Sequence, residues 1–151
     1  MKIVRTLTKF LIITIFVSLI FTIQVKANDT TINRWNIQLS IEEIEILCRI
    51  VQLEAGGEIT ESKYATTETI LNRMTSEKYP NTLIEVLAQK GQFGTWKNVT
   101  ATKATPTLDT YQAVFMVLIG QTNVLPLDNL HFNNQPIGKE PIKIGKQYYG
   151  K

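Results

Sequence analysis

The segment Ser40-Ile41-Glu42-Glu43-Ile44-Glu45-Ile46-Leu47-Cys48-Arg49-Ile50-Val51-Gln52-Leu53-Glu54-Ala55-Gly56-Gly57 sets the architecture of this chain. It opens on a capping box, Ser40 with Glu43 three residues on, in which a hydroxyl and a carboxylate satisfy backbone N–H groups that a helix start leaves unpaired. Ile44, Leu47, Ile50 and Val51 recur at the helical period and mark one apolar face. Gly56-Gly57 ends the helix. Glu42, Glu43 and Glu45 crowd the first turn, where the helix dipole favours acids. Glu54 does not suit its place. It lies about two turns beyond Leu47, on the apolar stripe. A carboxylate there costs free energy unless it is paired or neutral, and burial favours the protonated form that a general acid needs. The residue is therefore either a catalytic acid or a structural carboxylate paired with Arg49, Arg73 or a backbone amide. The two glycines after it leave the backbone open to close approach by a ligand.

Working outward, a second helix is expected over about 60–76, with Ala65, Ile70, Leu71 and Met74 inward, broken by Tyr79-Pro80-Asn81. A short third helix, Leu83–Gln89, ends at Gly91. Residues 94–106, rich in Gly, Thr, Lys and Asn, read as a loop. A fourth helix, Leu108–Gly120, carries Tyr111, Val114, Phe115, Val117 and Leu118. The remainder is punctuated by Pro and Gly and reads as turns with short strands at Leu130–Asn133 and Ile142–Ile144. The class is α+β, mainly α, with a small irregular or β-like C-terminal part. Among the other acids, Glu58 suits a cap for the second helix or a second carboxylate across the same cleft. Glu61 suits a solvated first turn. Glu68 fits an exposed face, with its flanking threonines leaving both faces open.

The 151 residues make one domain, and a 44% hydrophobic content is enough for a core. One cysteine, Cys48, excludes an intrachain disulfide framework, and a single histidine, His131, argues against a Cys/His zinc site. No metal or cofactor is expected. Residues 1–27 carry Lys2, Arg5, Lys9 and Lys26 and no acid, so 12 basic residues remain against 13 acidic ones. The net positive charge belongs to this leader, and no basic field points to nucleic acid. Phe10–Ile23 is an apolar run ahead of Val25-Lys26-Ala27, the order of a secretory signal peptide or an N-terminal anchor. The run is short for a membrane span. Residues 1–27 are thus expected to export the chain, 28–39 to serve as a linker or loosely docked arm, and 40–151 to form the functional domain. A membrane is a partner only through an uncleaved leader. An exported, metal-poor domain with one misplaced Glu points to glycoside cleavage.

Four elements then appear in order: Leu53-Glu54-Ala55-Gly56-Gly57-Glu58, Thr69-Ile70-Leu71-Asn72-Arg73-Met74, Tyr79-Pro80-Asn81-Thr82 and Gly91-Gln92-Phe93. Together they resemble the cell wall hydrolase family typified by the spore cortex-lytic enzyme SleB, over roughly Leu47 to Tyr149. The resemblance implies a lysozyme-like fold and cleavage of peptidoglycan glycan strands by a secreted, monomeric enzyme with a role in sporulation or germination. It implies lytic transglycosylase chemistry with Glu54 as acid/base. It places Gln92 and Phe93 along the glycan groove and matches Leu130-His131-Phe132-Asn133 and Ile144-Gly145-Lys146-Gln147-Tyr148-Tyr149 to late family segments. Trp96 is then a candidate to stack on a sugar face, with His131, Asn133 and Tyr149 as further substrate contacts. The closing segment departs from the family, with Lys146 or Gln147 where a His is usual. Glu68 and its neighbouring threonines stand where small apolar residues are usual. These departures keep open a weakly active or inactive wall-binding protein, and a hydrolytic muramidase stands as a close variant that only the product separates.

Overall fold

Ser40 caps the first helix as its sequence requires. Its hydroxyl accepts from Glu43 N–H, and the Glu43 carboxylate accepts from Ser40 N–H. The computed structural model describes residues 33–100 and 104–151. The leader and residues 28–32 lie outside the described residues. Five helices follow in order: α1 (Ile41–Ala55), α2 (Thr60–Thr75), α3 (Leu83–Ala88), α4 (Trp96–Thr100) and α5 (Leu108–Leu118). Three short strands close the chain: β1 (His131–Asn133), β2 (Ile142–Ile144) and β3 (Gln147–Gly150). They form an antiparallel sheet in the order β1-β3-β2, with Phe132 opposite Tyr149 and Ile144 opposite Gln147. β3 was not expected as a strand, yet it is the central one.

Two apolar clusters hold these elements together. The larger joins Leu47, Ile50 and Val51 of α1 to Ile70 and Leu71 of α2, Leu83 and Leu87 of α3, and Val114 and Val117 of α5. The smaller sets Ala65, Leu125 and Tyr149 beneath the sheet, and Phe132 packs against both. Hydrogen bonds fix α1 against α5. The Gln52 amide oxygen accepts from Thr107 N–H at 2.9 Å and Thr110 O–H at 2.7 Å, and Tyr111 O–H donates to Glu45 at 2.8 Å. Gly56 serves this joint. A Cβ there would meet the Gln52 side chain at 2.0 Å, so the glycine makes room for a protein amide and not for a ligand.

Three sequence expectations are corrected. Residues 33–39 are no loose linker: Trp35 is 5% exposed, packs in the main core and donates from its indole N–H to Asn72 Oδ1 at 2.6 Å. The 94–106 region contains α4, because Phe93, Trp96 and Val99 at steps of three turn an apolar edge inward. Glu68 is not on an exposed face. It is 0% exposed, and its carboxylate accepts from Arg34 (2.8 Å), Thr122 O–H (2.8 Å), and the N–H groups of Val124 (3.1 Å) and Leu125 (2.8 Å).

Glu68 is one member of a row. Asn72 Nδ2 donates to the carbonyls of Pro126 and Asn129, each at 2.9 Å, and Arg73 Nε donates to that of Leu130 at 2.6 Å. Residues 122–130 are buried at Leu125, Asn129 and Leu130 without belonging to a helix or strand. Buried backbone groups need partners, and here the side chains of α2 supply them. The hydroxyls of Thr67 and Thr69 bond back to the carbonyls of Lys63 and Ala65, so they too are satisfied. Replacing Glu68 by Gln would leave a net positive Arg34 and mismatched donors at a buried point. A loss of about 3 kcal/mol is expected, measured by urea unfolding. Trp35→Ala is expected to cost a similar ~3 kcal/mol, where a linker residue would cost nothing.

Candidate active site

Glu54 sits in the last turn of α1, half-buried, with its carboxylate turned to the loop after α3. Thr95 O–H donates to Glu54 Oε1 in a short hydrogen bond. From the other side Gln147 Nε2 of β3 donates to the Glu54 carbonyl at 3.1 Å. Gln147 is itself held, because its Oε1 accepts from Tyr149 O–H at 2.6 Å. Thus α1 carries the acid, the Phe93–Thr95 segment orients its carboxylate and β3 fixes its backbone. Arg49 pairs with Glu45 at 2.9 Å, and among the described residues no ion pair joins Glu54 to Arg49 or Arg73.

Arg73 lies close by, 3% exposed, its guanidinium carbon 5.1 Å from the ring centres of both Tyr79 and Phe93. Burial pulls this group below the ordinary arginine value, and Tyr79 and the Glu54 charge pull it back up. Beyond it, His131 lies edge-on to Tyr79 at 6.4 Å. Burial, and then the charges of Arg73 and Lys78, hold His131 below its usual value, so a neutral imidazole is present at neutral pH. Phe93 meets Phe132 at 6.1 Å, and Phe132 meets Tyr149 at 6.0 Å, an aromatic floor continuous with the core.

The expected site residues therefore fall into groups. Glu54 and His131 converge on this cluster. Trp96, on α4, is half-buried against the core. Gln92 and Asn133 are exposed. Phe93 is 5% exposed and backs Arg73 instead of lining an open groove. Tyr149 is 0% exposed. Its hydroxyl is shared among Thr66, Ser62 and Gln147, and burial pushes it up to about 12, so it is tied into the floor of the fold and not set on an open surface. Glu58 neither caps α2 nor joins Glu54. Ile59 holds the cap position, and Glu58 Oε2 accepts from Lys146 N–H at 3.1 Å, anchoring the β2–β3 turn. That turn needs Gly145, whose φ is +58° and whose Cβ would meet Ser62 Oγ at 2.6 Å. Sequence reasoning missed Thr95, which sits in a polar loop with no periodicity. It gave Gln147 no role although the residue had been noted at the departing family position. Among the described residues no group of acids, histidines and cysteines is placed to hold a metal ion.

The described residues thus form a mainly helical domain with a three-stranded sheet, in which the Glu54 carboxylate is oriented by a hydroxyl from the loop after α3. The family profile for cell wall hydrolases matches residues 57–149, and the chain belongs to that family. The match begins just after Glu54. Two solved structures share the lysozyme-like fold. The catalytic domain of the Bacillus cereus SleB protein is similar at 25% identity and TM-score 0.65, over 81% of this chain and 97% of its own. The catalytic domain of the germination-specific lytic transglycosylase SleB from Bacillus anthracis is similar at 27% identity and TM-score 0.63, over 75% and 97%. No curated protein sequence matches the chain. Thr95→Val removes the hydroxyl that orients Glu54. A hydrogen bond to a charged group is worth roughly 1.5–3 kcal/mol, so the rate of peptidoglycan clearing is expected to fall at least ~10-fold with the melting temperature nearly unchanged.

Proposed function

We propose that this cell wall hydrolase is an exported lytic transglycosylase that cleaves the MurNAc–GlcNAc bond of peptidoglycan with Glu54 as its acid/base. Protonated Glu54 gives its proton to the glycosidic oxygen as the bond to the anomeric carbon breaks. The muramic acid 6-hydroxyl attacks that carbon, and the Glu54 carboxylate takes the hydroxyl proton. A 1,6-anhydro end forms, no water is consumed and the acid is regenerated. Gln92, Trp96, His131 and Asn133 are the candidate substrate contacts, with neutral His131 suited to hydrogen bonding and Trp96 to stacking. The similar Bacillus anthracis domain, a germination-specific lytic transglycosylase by name, supports the same chemistry.

The observation that carries this reading is that, among the described residues, the two other candidate carboxylates, Glu58 and Glu68, are each bonded elsewhere. Ordinary glycosidases pair two acids across the scissile bond. Here Glu58 is bonded to the backbone of the β2–β3 turn, and Glu68 is sealed in the interior with several donors. One acid acting twice fits a reaction whose nucleophile is the substrate's own hydroxyl. The test is mass spectrometry of digested peptidoglycan, wild type beside Glu54→Gln. Anhydro-muropeptides from the wild type alone are expected. Reducing ends in their place would make the protein a muramidase and require a second carboxylate. Binding without products, from folded protein, would make it a wall-binding protein.

A further inference from the structure

The reaction proposed above acts on the glycan and leaves one cavity of the molecule without a task. It measures about 850 Å³ and lies between the buried segment before β1 and the loop that leads into β2. Ligand cavities of this size are mostly apolar, with a few polar groups that fix orientation. Here Pro126, Pro141 and Ile142 supply apolar wall, and the exposed side chains of Lys139 and Glu140 bring one charge of each sign. Neither charge has an ion-pair partner among the described residues, whereas Lys151, which also borders the cavity, is held by Asp128 at 2.6 Å. Asn129 is the unusual member of the lining. It is 2% exposed, its N–H donates to the Pro126 carbonyl at 3.1 Å, and its carbonyl accepts from Asn72 at 2.9 Å. Its Oδ1 has no hydrogen-bond partner among the described residues. Buried side-chain oxygens are nearly always paired. With its backbone fixed on both sides, Asn129 leaves a free acceptor beside the cavity.

We propose that this cavity binds a short peptide bearing both a free amine and a carboxylate, the chemistry of the peptides that hang from the glycan of a bacterial wall. The inference rests on peptidoglycan being the substrate. The sugar rings of that polymer offer neutral hydroxyl and acetamido groups, which leave Lys139 and Glu140 idle. A peptide engages every group present: a backbone N–H for Asn129 Oδ1, a carboxylate for Lys139, an ammonium for Glu140, and aliphatic side chains for the prolines and Ile142. β2 is moreover an outer strand of the three-stranded sheet. Such an edge is where an extended peptide adds to a sheet, through main-chain hydrogen bonds. The place suits a substrate cut at Glu54. β3 reaches the Glu54 carbonyl through Gln147 at one end, and Lys151 follows its other end. Four residues of strand separate the two, roughly 13 Å. A tethered peptide of four extended residues spans about the same length.

The probe is the stem tetrapeptide freed from peptidoglycan by an amidase, titrated into ¹⁵N-labelled protein and followed by NMR, with a chitin oligosaccharide as the sugar-only comparison. The peptide should shift the signals of Asn129, Lys139, Glu140 and Ile142, and the oligosaccharide should leave them in place. Asn129→Leu keeps the bulk of the side chain and removes an oxygen that no partner in the fold uses, so it should weaken peptide binding ~10-fold, the equivalent of one hydrogen bond. Lys139→Ser and Glu140→Ser, both on the surface, should each weaken it about threefold, and they serve if Asn129→Leu does not fold. Cleavage of soluble, uncross-linked glycan strands is then compared with and without their peptides. All three variants should raise KM on the peptide-bearing strands by those factors and leave kcat, and the rate on stripped strands, within about twofold. Peptide that shifts no signal, or shifts signals elsewhere, would overturn the proposal. Shifts at Asn129 caused by the oligosaccharide would overturn it in favour of a sugar site. Failure to cleave either kind of strand would instead overturn the proposed reaction, a result that the peptide titration does not share.

Discussion

The buried face of α2 is polar, and the rest of the molecule depends on it. Glu68, Asn72 and Arg73 present a carboxylate, an amide and a guanidinium to residues 122–130, taking N–H groups at one end and carbonyls at the other. An irregular segment buried this way would otherwise carry several unsatisfied backbone groups at one to three kcal/mol each. Two of these side chains also reach back along the chain. Glu68 receives Arg34 and Asn72 receives the Trp35 indole, so the residues before α1 are fastened to the row that also fastens the segment after α5. Leu130 leads directly into β1 and accepts from Arg73, so the row also sets where the sheet begins.

From that row the site follows by geometry. Once β1 is placed, β3 pairs beside it and sends Gln147 to the end of α1, while Phe132 closes over Phe93 and Tyr149. The acid is thus held by elements from three distant parts of the chain. What reaches Glu54 is a hydroxyl from Thr95 and a side-chain amide from Gln147.

The helices were legible in the sequence where apolar residues recur on one face, as in α1 and α5, and where a cap is written, as in Ser40. Glu54 was legible for the complementary reason, as a charge standing where the pattern asks for an apolar residue. α2 was the opposite case. Periodicity equates polar with outward, and a helix that buries Lys63, Glu68, Asn72 and Arg73 gives no such contrast. Trp35 and β3 were hidden by their flanks, one in a polar arm and the other in a run broken by Gly145 and Gly150. Thr95 could not be found in advance, since its role exists only when its loop is folded against α1.

The position of β3 has a consequence for when activity appears. Its hydrogen bond to the Glu54 carbonyl spans 93 residues, and the Thr66–Tyr149 contact spans 83. Contacts of such separation form late, after local helices are in place. A chain that has built α1 already carries the acid, but the backbone around it is not clamped until the central strand arrives.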